Sequence, residues 1–437
     1  MRLTVVGGGL AGCEAAWALA ERGIPVDLFE MRPSVTTPAH QTDRLAEIVC
    51  SNTFKSLELS NAHGVLKAEL RILGSLLMDV AHEVRVPGGT ALTVDRELFS
   101  EEVTRRVNSH PNITVRREEV SMLRAPAIIA TGPLTSEVLA GAIRERLGLD
   151  SLAFYDAIAP IVAADSLDES KLYRASRYGK GEGDDFYNAP LTKAEYERFI
   201  DALIAADQYV GHDFDQVPYF EACLPIEEMA KRGRETPRFG PLKPVGLEDP
   251  RSGIRPHAVV QLRQEDRAGQ MWNLVGFQTR LKIPEQKEVF RTIPGLGKAE
   301  FLRFGSIHRN TYLNSPRALT RHLSALDDDM LLFAGQLVGV EGYTESLATG
   351  LWAGINMARL HDGLDPVIPP AETMLGALMR YVHETDPKHF QPMNANFGLL
   401  PPLGTRVKNK RERRRLLGER AVEAMRALVH STLTVSA

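Results

Sequence analysis

The chain of 437 residues has only three cysteines, Cys13, Cys50 and Cys223, far apart and odd in number. That spacing supports neither a disulfide framework nor a zinc site, and it fits a reducing, cytoplasmic setting. No stretch approaches the roughly eighteen uninterrupted apolar residues of a membrane helix. No basic-apolar leader precedes the first apolar run, which reads as a structural strand. The net charge of −4 excludes a uniformly basic nucleic-acid binder but leaves local patches open. What remains, 43% hydrophobic and 25% charged, is ordinary for a soluble globular protein, and the length favours two structural units.

The most informative stretch comes first. Leu3 to Val6 is a short apolar run that reads as a buried strand, Gly7-Gly8-Gly9-Leu10-Ala11-Gly12 follows, and Cys13 to Arg22 reads as a helix. Ile24 to Glu30 reads as a second strand ending in an acid, followed by Met31 and Arg32. Strand, glycine turn, helix, strand and acid together form a dinucleotide fingerprint. Gly7 permits the tight turn, Gly9 admits a pyrophosphate, Gly12 lets helix pack on strand, and Glu30 stands where a ribose diol would be held. Ala127 to Pro133, with Thr131 and Gly132, and Met330 to Gly339, with Gly335 and Gln336, read as two further strand-to-loop units of a flavoprotein. A helix from Glu345 to Leu360 carries Ala348, Gly350, Ala353 and Gly354, residues small enough for very close packing, and its N-terminus is expected at a flavin. The cofactor-binding set is therefore Gly7, Gly8, Gly9, Leu10, Ala11, Gly12, Glu30, Met31, Arg32, Thr131, Gly132, Gly335, Gln336 and Glu345. No second G-x-G-x-x-G follows a convincing strand, so a dedicated nicotinamide domain is not expected.

Between these units the character changes. Residues 154–322 combine aromatic, Pro, Gly and basic residues with strand-like runs at Ala157 to Ala164, His257 to Leu262 and Met271 to Phe277. They read as an inserted mixed α/β domain between two parts of a Rossmann-like FAD-binding domain, 1–153 and 323–437. Within the insertion Tyr173, Tyr178, Phe186, Tyr187, Tyr219 and Phe239 alternate with arginines and lysines, a pattern that suits unstacked bases and phosphates. A single helix is expected from Glu69 towards a short strand at Val86. Lys408 to Arg415 holds six basic residues in eight and leads into an amphipathic helix; a solvated helix end and an RNA-phosphate contact both fit.

Several long motifs carry a family resemblance: Cys50 to Ser56, Cys223 to Glu227, Arg238 to Leu247, Gly276 to Gln286, Val289 to Leu296, Gly342 to Glu345 and His389 to Gly398. They resemble the flavoprotein family of tRNA-modifying enzymes that includes the large glucose-inhibited division protein. The likeness is closest to its smaller branch of folate- and FAD-dependent tRNA (uracil-5-)-methyltransferases, which lacks the long helical C-terminal extension. The resemblance implies FAD, 5,10-methylenetetrahydrofolate as carbon donor, NADH or NADPH as reductant, and the T-loop uridine at position 54 of tRNA as substrate. No obligatory protein partner and no membrane are implied.

Uracil carbon 5 is a poor nucleophile until a thiolate adds to carbon 6, so this chemistry needs a cysteine. Cys13, in the first turn of the nucleotide-binding helix, is expected to pack against the sheet. Cys223, near Lys231, Arg232 and Arg234, is taken as the thiol that attacks the base, and Cys50 as the thiol on the flavin side; the swapped assignment stays open. His308 is expected to stack on the folate pterin and Arg309 to pair with the folate glutamate tail or RNA phosphate. Lys408, Lys410, Arg411, Arg413 and Arg414 are assigned to the T-arm of tRNA. A wobble-uridine modifier and a small-molecule flavin oxidoreductase are the competing readings.

Overall fold

The computed structural model describes residues 2–148, 152–209 and 224–433, and for 152–157 and 307–309 the backbone alone. The first apolar run becomes the central strand of a sheet covered on both faces. In chain order the strands of that sheet are β1 (Leu3–Val6), β2 (Val26–Phe29), β3 (Ile113–Arg116), β4 (Ala127–Ile129), β5 (Ser324–Ala325) and β6 (Asp328–Phe333). They lie side by side as β5-β6-β4-β1-β2-β3. Every neighbouring pair is parallel except β5 with β6. The register puts Leu332, Ile128, Val5, Leu28 and Val115 in one lateral row, so one apolar layer runs across the sheet. The expected α/β fold is thereby present, with residues beyond 323 completing the sheet that residue 3 begins.

Helix α1 (Leu10–Ala20) follows β1, and the long helix α2 (Tyr343–His361) follows β6. The two pack almost backbone to backbone. A Cβ added at Gly350 would stand 2.5 Å from the Ala11 Cα and closer still to its carbonyl oxygen; at Gly354 it would meet the Ala15 oxygen at 2.7 Å. Real Cβ atoms do not approach backbone that closely, so these two positions require glycine. Where one helix was expected from Glu69, there are two, Ala62–Ile72 and Leu76–Glu83. Gly74 takes a left-handed φ of +78°, and the Ser75 side chain accepts the Met78 N–H, so the chain stops and re-caps within three residues.

The insertion forms a second six-stranded sheet, antiparallel throughout, in the order Tyr173–Arg174, Phe186–Leu191, Ala258–Gln264, Met271–Leu274, Ile161–Ala163, Phe301–Arg303. Its own core gathers Phe199, Val260, Trp272, Phe277 and Phe290. The run expected from Ala157 to Ala164 is split in two around Pro160, which has no N–H for a ladder. Its first half belongs to strand Leu152–Ile158, which pairs antiparallel with Ser306–Tyr312, Leu152 opposite Tyr312 and Ile158 opposite Ser306. Both chain crossings between the two sheets therefore run in one ladder, and the expected boundary at 153/154 falls inside it.

A polar seam ties the insertion to the nucleotide-binding part. Asn52 Nδ2 donates to the carbonyls of Val94 and Gln264, both at 2.9 Å, and Arg263 Nε donates to Asn52 Oδ1 at 2.8 Å. Arg96 pairs with Glu265 at 3.0 Å. Among the described residues no helix is long and apolar enough to cross a membrane, and no group of three His, Cys, Asp or Glu is placed to hold a metal.

The close approach of α1 and α2 generates a stability test. Gly350→Val forces backbone apart and should cost about 1–3 kcal/mol or more, read as a lower thermal midpoint. Gly404→Val, where an added Cβ meets nothing within 4 Å, should leave the midpoint unchanged.

Candidate functional site

In a parallel sheet the residues just beyond each strand share one edge, and here they line one cleft of about 1020 Å³ of empty space. Gly7 and Gly9 follow β1, Glu30, Met31 and Arg32 follow β2, Glu118 and Val120 follow β3, Thr131 and Gly132 follow β4, and Gly335 and Gln336 follow β6. Leu10 and Ala11 add the first turn of α1.

Gly7 holds a φ of +107°, and an added Cβ would press on the Ala130 and Thr131 backbone. A Cβ at Gly12 would collide with the Gly7 carbonyl, so Gly12 serves the packing of helix on turn. Gly9 is the N-cap of α1; it carries no capping side chain, and a Cβ there would meet nothing within 4 Å. The open N-terminus of α1 thus presents unsatisfied N–H groups to a cleft that a pyrophosphate would fill. Helix α2 also begins here without a side-chain cap, with Tyr343 and Ser346 on the cleft wall. These features fit a dinucleotide.

Glu30 lines the cleft, and its carboxylate is already engaged. Oε2 accepts the Gly8 N–H at 3.0 Å, while Oε1 accepts both the backbone N–H of Arg32 at 3.0 Å and its Nε at 2.9 Å. Arg32 in turn reaches Glu47 at 3.1 Å. Burial raises the Glu30 carboxyl, but the Arg32 bonds and charge outweigh it and hold it below its ordinary value. Gly8 thus serves Glu30 from behind the cleft wall. Glu345, expected on the cofactor, is instead 1% exposed and accepts the Ala395 N–H at 2.8 Å, with His63 Nδ1 at 3.1 Å. Its place one turn inside α2 points it at the neighbouring loop, and Tyr343 and Ser346 occupy the cleft side.

A second cavity, about 820 Å³, is lined by Cys50, Ser51, Thr53, Leu224, Met229, Pro241, Arg263, Asn273, Gly276 and Gln278. Four separately placed motifs of the sequence converge on it: those beginning at Cys50, Cys223, Arg238 and Gly276. Tyr343 joins the two spaces, because its hydroxyl accepts the N–H groups of Cys50 at 2.8 Å and Ser51 at 3.1 Å. Arg263 is buried, at 8% exposure, and contributes to this wall. Its other contacts are Asn273 Oδ1 at 3.4 Å and Glu265 at 3.8 Å. Cys13 is fully buried, its Sγ donating to the Gly8 carbonyl at 3.4 Å, and burial pushes its thiol far up.

Other expected residues fall elsewhere. Cys223 and Tyr219 lie outside the described residues, as do the side chains of His308 and Arg309. The backbone of the latter pair sits in the crossing ladder opposite Asp156 and Tyr155. Helix α3 (Lys410–Leu428) starts beside a groove of about 1140 Å³ lined by Lys410, Arg413, Arg414, Arg406 and Phe397, with the Arg414 guanidinium 5.8 Å from the Phe397 ring centre. Lys408 and Arg411 are exposed outside this groove. The aromatic-basic interleaving of the insertion is partly internal: Arg174 lies 4.7 Å over Tyr187 and 5.0 Å over Trp272, and Tyr173 is buried. Phe239 and Tyr178 stay exposed.

Sequence reasoning passed over Thr37, His40, Glu47, Glu118, Tyr343 and Ser346 in the first cavity, and Arg263 and Asn273 in the second. A signal existed for some of them. Glu118 follows a strand of the same parallel sheet, and Tyr343 starts a helix flagged for its glycines. Nothing local marks Arg263, an arginine inside an apolar strand run, as a cavity residue.

The chain matches the family described as glucose inhibited division protein A over residues 2–365. It is 58% identical over 422 residues, 96% of this chain and 97% of the relative, to methylenetetrahydrofolate--tRNA-(uracil-5-)-methyltransferase TrmFO of Geobacter sulfurreducens. The Bacillus licheniformis protein of the same name is 55% identical over 425 residues, 97% of this chain and 98% of the relative. Among solved structures, Aquifex aeolicus GidA in its form II crystal superposes with a TM-score of 0.67 at 17% identity, covering 98% of this chain and 75% of that chain, a likeness of fold.

The Glu30 network carries a pH signature. The unfolded chain takes up the proton first on acidification, because the folded carboxyl titrates below the ordinary 4.5. The stabilisation from Glu30 is therefore complete above about pH 4.5 and lost as the pH falls through the folded value. The difference in thermal midpoint between the protein and Glu30→Gln should be largest at neutral pH and shrink towards pH 3.

Proposed function

The chain belongs to the glucose inhibited division protein A family, and from that premise we propose that it methylates tRNA: the one-carbon unit of 5,10-methylenetetrahydrofolate passes to carbon 5 of a uracil. FAD is the cofactor and NADH or NADPH the reductant. Gly7, Gly9, Glu30, Thr131, Gly132, Gly335 and Gln336 of the first cleft would hold FAD, which, once reduced by NADH or NADPH, would supply the two electrons that turn a transferred methylene into a methyl. The target is the T-loop uridine at position 54, and the setting is the cytoplasm.

The observation that carries the reading is the junction of the two cavities at Cys50. Its N–H is fixed by Tyr343 from the dinucleotide side, while the residue itself lines the space walled by the insertion. A uracil flipped into that space meets a thiol and a buried guanidinium together. Addition of the Cys50 thiolate to carbon 6 pushes the ring electrons onto the carbon 4 oxygen, and the Arg263 cation, held by Asn52 and Asn273, stands in the same wall to stabilise that charge. Of the two assignments left open by the sequence, this supports Cys50 as the attacking thiol, with Cys223 as its partner in removing the carbon 5 proton. His308 and Arg309 are assigned to the pterin and the glutamate tail. Lys410, Arg413 and Arg414 in the C-terminal groove, with exposed Lys408 and Arg411, are assigned to T-arm phosphates, which makes binding salt-dependent.

Incubation with unmodified tRNA, NADPH and folate labelled in the methylene carbon tests the reading. Label in 5-methyluridine is expected; label left in folate while NADPH is consumed would favour a small-molecule flavin oxidoreductase. Cys50→Ala should lower transfer by about a thousandfold or more, and Arg263→Lys by about 10²–10³-fold in kcat, both with FAD retained. A T-arm hairpin carrying 5-fluorouridine should form an adduct stable to denaturation with Cys223→Ala and none with Cys50→Ala; the opposite pattern reverses the thiol roles.

A further inference from the structure

Phe239 is the most exposed large apolar side chain among the described residues, at 81%. Nothing about its surroundings is loose. It ends a short helical turn, Thr236–Phe239, whose Pro237 is buried. The preceding Arg238 donates from Nε to the His257 carbonyl at 2.9 Å. On the far side the N–H groups of Gly240 and Leu242 both return to the Pro237 carbonyl, at 3.1 and 2.9 Å, and Leu242 is wholly buried. The chain around Phe239 is thus pinned on both sides while its ring stands in water, against the hydrophobic preference of the side chain.

Its position is equally specific. Pro241, two residues on, lines the Cys50 cavity, and a Cβ on the intervening Gly240 would come 3.2 Å from the sulfur of Met229, another wall residue. Two residues of chain span at most about 7 Å, so the Phe239 backbone lies within that distance of a wall residue of the space assigned to the flipped base. Lys231, Arg234 and Lys243 are exposed on the same segment; Lys231 pairs with Glu228 at 3.0 Å and Arg234 with Asp201 at 2.7 Å, so phosphates beside a base stack would exchange with these surface carboxylates.

We infer that Phe239 is a wedge: it enters the T-loop base stack beside the target uridine and fills the gap left when that uridine turns into the Cys50 cavity. An extruded base leaves unstacked neighbours, and an apolar side chain inserted between them recovers part of the lost stacking. A rigidly presented ring does so without being ordered at the moment of binding. The inference rests on the tRNA reading above.

The test uses full-length FAD-loaded protein and two T-arm hairpins, one natural in sequence and one abasic at the 3′ neighbour of the target uridine, which removes the stack that must be broken. Phe239→Ala should lose about tenfold or more in methyl transfer to the natural hairpin and recover most of it on the abasic one. Phe239→Trp should stay near the unmodified protein on both. FAD content and NADPH oxidation, which no wedge touches, should be unchanged in every variant. With 2-aminopurine at the target position, binding should raise fluorescence with the unmodified protein and not with Phe239→Ala. Equal loss on both hairpins, or no loss, overturns the wedge. So does intact methylation with a changed sedimentation coefficient, which makes Phe239 part of a protein–protein face. Absence of transfer by the unmodified protein on both hairpins is a different failure, that of the tRNA reading itself.

Discussion

The contact on which the site depends is the approach of α1 to α2, glycine against backbone. Gly350 and Gly354 let the two helices lie closer than side chains would permit, and both helices begin at the same cleft. One brings the open N-terminus that suits a pyrophosphate; the other brings Tyr343, whose hydroxyl fixes the Cys50 loop. A wider spacing would separate the phosphate end of the dinucleotide site from its reactive end. Packing distance here sets chemistry, because hydrogen bonds of the Tyr343 kind tolerate displacements of only a few tenths of an ångström.

The joint between the two sheets follows a different logic. Arg96, Arg263 and Glu265 are buried together, with Asn52 bonded to both sides. Buried charge of this sort contributes little net stability, since its desolvation cost rivals its attraction. It does define geometry: Arg96 also donates to the Ile48 carbonyl, so the strand that carries Arg263 and the loop that carries Cys50 are indexed to one another. An apolar joint of equal area could slide; this one has a single register.

The dinucleotide half was legible because its physics is local. A tight turn demands Gly7, a helix-on-turn contact demands Gly12, and a strand-to-loop step repeats at Thr131 and Gly335; each is visible within a dozen residues. Locality does not report which way a side chain turns: Glu345 sits in the expected helix with its carboxylate on the Ala395 N–H. The second cavity was legible only as motifs. Cys50, Pro241, Arg263 and Gly276 are up to 226 positions apart, counting from residue 50 to residue 276, and no periodicity reports a wall built from four segments. The aromatic-basic pattern of the insertion is partly internal for a related reason. Composition cannot tell an arginine stacked on its own tryptophan, as Arg174 is, from one offered to a partner; exposure can, and it singles out Phe239.

The placement of β6 beside β4 has a consequence for the protein's birth. Strands β1, β2, β3 and β4 are available once about 130 residues have been made, but their sheet gains β6 only after residue 333. At about 5–20 residues per second the ribosome needs roughly ten to forty seconds to bridge that interval. During it the insertion emerges whole and can close its antiparallel sheet, while β4 waits with an open edge. The partner helix of α1 arrives later still. The segment synthesised second is therefore free to finish first, and the nucleotide site, begun at β1, is completed only by elements made after the insertion.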